Sequence, residues 1–105
     1  MSFLSDALFL ASALVDECER EGIRVDQAYT HVYADPQGEM CGLITLATDD
    51  GRALAARLGL SLENTFPGGR GGLRRSAWAR VGRWVVDTSW PVVPASAAAV
   101  GGEVR

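Results

Sequence analysis

The stretch from Arg24 to Ala47, RVDQAYTHVYADPQGEMCGLITLA, constrains this chain more than any other. Two runs rich in Val, Tyr, Thr, Ile and Leu are separated by Asp35-Pro36-Gln37-Gly38, with Pro and Gly in the order that a tight turn requires. The pattern predicts a β-hairpin, residues 24–34 against 39–47. With the turn centred on Pro36-Gln37, Ala34 meets Glu39, Val32 meets Cys41 and His31 meets Gly42. That register sets His31 and Cys41 on opposite faces of the sheet. A three-residue loop would reverse the parity.

Around this hairpin the remaining elements follow from periodicity and caps. Apolar residues at 4, 7, 8, 11, 14, 15 and 18 recur at helical spacing, with Ser2 or Ser5 to cap the start and Gly22 to end it. A first helix is therefore expected over residues 3–21. Thr48 or Asp49 is placed to cap a shorter second helix, GRALAARLG, closed by Gly59. LSLENTF, residues 60–66, reads as a short strand or an extended connection. RRSAWARVGRWVVDTSW has strand composition throughout, and a two-residue type II′ turn at Gly82-Arg83 folds it into a second hairpin, 74–81 against 84–90. One long strand with a glycine bulge is the alternative.

The expected fold class is thus α+β, in the order α-β-β-α-β-β, an antiparallel sheet with both helices on one face. At 105 residues the chain has room for one domain, residues 1–91. Residues 92–105 have too few large apolar groups to bury and are expected to form a flexible C-terminal tail.

Composition narrows the function classes. All ten basic residues are Arg and none is Lys, and with abundant Ala, Gly and Val this is the bias of GC-rich codons, as in a high-GC bacterium or its phage. The net charge of −3 hides an asymmetry: residues 1–50 hold ten acids against two arginines, and residues 51–105 hold three acids against eight. Opposite halves suit a charged partner, a head-to-tail pairing of two copies, or internal neutralisation. The N-terminal run ALFLASALV resembles a signal-peptide core, but Asp6 stands where a basic residue is expected and the run is too short for a membrane span. A cytoplasmic protein without a membrane partner is the expectation. Cys18 and Cys41 lack the spacing of a metal or redox motif and read as small apolar core residues.

The candidate site is the basic stretch that begins in PGGRGGLRR, residues 67–75. No Lys follows its glycines, which excludes a Walker A loop, and the dinucleotide pattern fails because Arg74 stands at the sixth position of a motif counted from Gly69. No cofactor is implied. Between Phe66 and Val86 lie Arg70, Arg74, Arg75, Arg80 and Arg83 and no acid. Strand alternation puts Arg74 and Arg80 on one face and Arg75 on the other.

Trp78, Trp84 and Trp90 are expected to project together from one face of the hairpin, with Arg80 beside them. Trp with Arg is the pairing of binding hot spots and of base-stacking surfaces. Against this stands the plainer expectation that the arginines pair with the acidic first helix. His31, the single histidine, has no nucleophile placed beside it, and metal binding through Cys18, Cys41 and His31 lacks ligand spacing.

The leading expectation is a non-enzymatic module that binds protein, most simply its own copy as a homodimer, through a sheet face or edge. A nucleic-acid binder using the Arg70 to Arg83 hairpin with tryptophan stacking is the alternative. A small enzyme around His31 and the tyrosines is the third.

Overall fold

The computed structural model describes residues 2–69 and 71–92. Helix α1, Phe3–Arg20, is capped by Ser2, whose Oγ accepts the Ser5 N–H at 3.0 Å. Its apolar stripe buries Ala7, Ala11 and Cys18, and Gly22 at φ +81° turns the chain back toward the sheet. Strands β1, Gln27–Ala34, and β2, Met40–Ala47, form the expected hairpin. Helix α2, Gly51–Leu58, is capped by Asp50 rather than Thr48 or Asp49 and ends on left-handed Gly59. Strands β3, Leu62–Pro67, β4, Leu73–Val81, and β5, Trp84–Val92, complete the chain. β5 thus runs past the expected domain limit at residue 91, and residues 93–105 of the expected tail lie outside the described residues.

Five strands form one sheet in the order β1-β2-β5-β4-β3. The sheet is mixed, which corrects the expectation of a purely antiparallel one: β2 and β5 run parallel, Gly42 beside Trp84 through Thr45 beside Asp87. The reason is topological. The chain leaves β2 through α2, runs out to the far edge as β3, and returns by two hairpins, so β5 meets β2 in the same direction. LENTFP is a full edge strand paired with β4.

Both helices lie on one face. Ile44, Leu46, Leu54, Cys18 and Ala77 are completely buried between the helices and the sheet, and Thr88 Oγ1 donates to Leu46 O at 2.7 Å in that layer. At its start α1 is pinned by Phe3, whose ring stacks on Trp84 at 4.4 Å between centroids. The indole lies over Gly42, leaving no room there for a Cβ.

The first hairpin is one residue out of the expected register. Asp35 O accepts the Gly38 N–H, Asp35 N–H donates to Glu39 O, and Gly38 has φ +83°. This is a three-residue loop with a bulged glycine, stabilised by Asp35 Oδ1 accepting the N–H groups of Gln37 and Glu39. Tyr33 therefore faces Cys41 and His31 faces Leu43, so His31 and Cys41 share a face, contrary to expectation.

The second hairpin has the expected register, Val81 facing Trp84 and Trp78 facing Asp87, with Gly82 at φ +59° in the turn. Here the expected grouping of the tryptophans fails. A residue shares a face with its cross-strand partner, so Trp78 lies with Asp87, and strand alternation puts Trp84 and Trp90 on the other side.

Candidate interaction surface

The face of the sheet turned away from the helices is not covered by any described residue. Pairing and alternation lay out its rows. One crosses all five strands: Tyr29, Thr45, Asp87, Trp78 and Leu62. The next holds His31, Leu43, Val85 and Arg80, and the row on the other side holds Gln27, Ala47, Ser89, Ser76 and Asn64. Tyr33 and Phe66 extend the apolar area near opposite edges. Tyr29 and Leu62 stay about half exposed, at 55% and 48%. A sheet face bearing this many large apolar groups without a layer over it is characteristic of a surface used for contact.

Asp87 sits near the middle of this face, on the central strand β5. Burial pushes its carboxyl above the ordinary carboxylate range, and the hydrogen bond donated by Thr45 Oγ1 at 2.6 Å works against that rise. No Arg or His pairs with it among the described residues. An acid on a partly desolvated surface suits a partner that brings a hydrogen-bond donor.

The arginines of the candidate site do not gather into one patch. Arg70 lies outside the described residues. Arg74 and Arg80 are on the bare face with Trp78; Arg74 donates to Ser89 Oγ at 3.0 Å and Arg80 to Gly82 O at 3.2 Å. Arg75 is on the helix face, in a 2.5 Å ion pair with Glu63 and bonded to Thr65 across to β3. Arg83, in the turn, pairs with Glu39. The expected pairing with α1 is thus corrected: among the described residues, its Glu17 and Glu21 meet Arg57 of α2, and the hairpin arginines that find acids find them on β3 and beside β2. Glu63 and Glu39 lie 12 and 44 positions from Arg75 and Arg83 in sequence, so only strand pairing reveals these partners.

The glycines of PGGRGGLRR serve the β3–β4 hairpin. Gly68 N–H donates to Gly72 O at 2.6 Å, and Gly71 takes φ +83°. A Cβ on Gly68 would crowd the Arg74 stem at 3.2 Å. Trp84 and Trp90 belong to the helix face: Trp84 lines an apolar groove with Leu10, Leu14, Leu58 and Val81, and Trp90 carries the Arg52 guanidinium over its ring at 5.9 Å.

His31 and Cys41, though on one face, are not bonded to each other. The imidazole stacks on Tyr33 at 5.6 Å, and the buried Cys41 thiol points to Glu39 O at 3.8 Å. Cys18 and Cys41 are both free thiols, and no cluster that would hold a metal ion occurs among the described residues. Nor is any described helix long and apolar enough to cross a membrane. No family model, curated protein or solved structure matches this chain.

Proposed function

We propose that this protein is a non-enzymatic interaction module that pairs with a second copy of itself through its sheet. The observation that carries this reading is the uncovered face, where Tyr29, Leu43, Val85, Trp78 and Leu62 span five strands. Two helices on the other side already bury a complete core, so these groups are surplus to the fold of one chain. Burying them against a partner recovers about 25 cal/mol for each Å² removed from water. Light scattering over a dilution series tests the reading. A mass near twice the 11.2 kDa of one chain is expected at micromolar concentration, and a single-chain mass at every dilution would refute it.

One observation favours a second reading, the binding of single-stranded nucleic acid. Arg74, Ser76, Trp78 and Arg80 follow one another along the bare side of β4, an aromatic with a cation on either side of it, the nearer being Arg80. The pairing of Arg75 and Arg83 with glutamates, and the position of Trp84 and Trp90 on the helix face, weigh against it. Titration of tryptophan fluorescence with an oligonucleotide separates the readings, because nucleic-acid binding must weaken steeply as salt rises.

A further inference from the structure

The two ends of the sheet are built differently, and the difference points to where the second copy attaches. At one end, β3 is shielded. The Gly68–Gly72 hydrogen bond marks the even-numbered residues of β3 as those bonded to β4, so Glu63, Thr65 and Pro67 turn their backbone outward. Pro67 has no N–H to offer and Glu63 brings a charge, both of which blunt an edge.

At the other end, β1 has no such protection. The Asp35–Glu39 hydrogen bond marks its odd-numbered residues as those bonded to β2. Ala28, Thr30, Val32 and Ala34 therefore present N–H and C=O groups outward, and QAYTHVYA contains no charged residue and no proline. The side chains of these four residues are small and lie on the helix side, while Tyr29, His31 and Tyr33 lie on the bare side.

We infer that two copies join edge to edge along β1, antiparallel, to make one continuous ten-stranded sheet with a two-fold axis at His31. This rests on the self-association reading and places its seam at the sheet edge, where of the bare-face groups only Tyr29, His31 and Tyr33 meet those of the second copy. One register pairs all four outward residues: Thr30 with Val32 of the second copy and Ala28 with Ala34, each reciprocally. His31 then faces its own counterpart, and Tyr29 faces Tyr33 across the seam on the bare side, as aromatic cross-strand pairs.

The helix layer fits the same axis. Phe3, Leu10 and Leu14 lie on the flank of α1 toward β5 and α2, so helical spacing places Leu4 and Leu8 on the opposite flank, toward β1. They are 49% and 55% exposed, and no described residue of the same chain covers them. α1 packs across β1 and β2, and strands are about 4.8 Å apart, so its axis falls about 5 Å from the seam. The two copies of α1 then lie about 10 Å apart, the spacing at which helices pack, with Leu4 and Leu8 between them.

Oxidative cross-linking tests the seam on the full chain. His31→Cys is expected to form a disulfide-linked dimer, because residues facing each other at an unbonded antiparallel position have Cα atoms close enough to bridge. Tyr29→Cys, which faces position 33, is expected not to link to its own counterpart. Thr30→Pro removes one outward N–H without touching the bonds to β2, and is expected to shift the mass toward one chain while circular dichroism stays unchanged. Should Thr30→Pro fail to fold, the two cysteine variants still decide. A wild-type dimer whose His31→Cys form does not cross-link would overturn the β1 seam and leave self-association through the bare face standing. A wild-type monomer at all concentrations would end the self-association reading and the seam with it.

Discussion

Gly42→Ala isolates the contact that holds α1 to the sheet. Gly42 lies beside Trp84 in the parallel pair, and the indole crosses directly over it with Phe3 stacked on the ring. A Cβ there would stand 2.5 Å from Trp84 Cε3 and 3.3 Å from Phe3 Cε2. Ordinary carbon contacts begin at about 3.5 Å, so the indole must move by about 1 Å, and Phe3 moves with it. Inserting a methyl into such a contact costs about 1–3 kcal/mol. Replacing a strand glycine by alanine returns about 0.5–1 kcal/mol of backbone entropy.

The expected net loss is therefore about 1–2 kcal/mol, a fall of roughly 5–15 °C in Tm. Urea unfolding followed by tryptophan fluorescence, at fixed chain concentration, measures it. In a Trp84→Leu background the same substitution has space and should cost less than half as much, a coupling that a double-mutant cycle reads directly. A Gly42→Ala cost within about 0.5 kcal/mol of zero, or one unchanged by Trp84→Leu, would refute this account of the packing.

Asp87→Asn keeps an oxygen for the Thr45 hydroxyl and removes a carboxylate whose folded-state pKa burial raises. A raised acid pKa means that the folded state binds the extra proton. Stability from this group therefore falls as pH rises from the ordinary Asp value through the folded one, and the asparagine variant should be the more stable at pH 7, with the gap closing in acid. Thermal melts at pH 7 and pH 4 check this, and an equal gap at both would refute it. Cys18 is buried and its thiol is raised by burial and by Glu19, and Cys41 is buried too. Neither should react with a thiol reagent until urea unfolds the chain.

Local elements were legible because their signals are local. Ser2, Gly22 and Gly59 bound the helices, Asp35 to Gly38 announces a turn, and Gly82 sets the β4–β5 register. Parity in the first hairpin was not legible, since one bulged glycine, Gly38, decides whether His31 and Cys41 share a face. The parallel pairing of β2 with β5 is a long-range event to which no short motif contributes. For the site, the separation of Arg75 from Arg74 and Arg80 follows from strand alternation alone. Placing Trp78 opposite Trp84 and Trp90 required only that the pairing with Asp87, which a two-residue turn at Gly82-Arg83 dictates, be carried through to its face. The bare surface itself emerges only once both helices are seen on one side.

Residue-resolved amide hydrogen exchange tests self-association through the β1 edge of the sheet most directly. In a single chain the N–H groups of Ala28, Thr30, Val32 and Ala34 point to solvent and exchange quickly, while those of Tyr29, His31 and Tyr33 are held by β2. In the β1-joined pair both sets are bonded. The account predicts that the four even-numbered amides are protected at high chain concentration and lose that protection on dilution, while the odd-numbered set stays protected throughout. Rapid exchange of the even-numbered set at every concentration would contradict it.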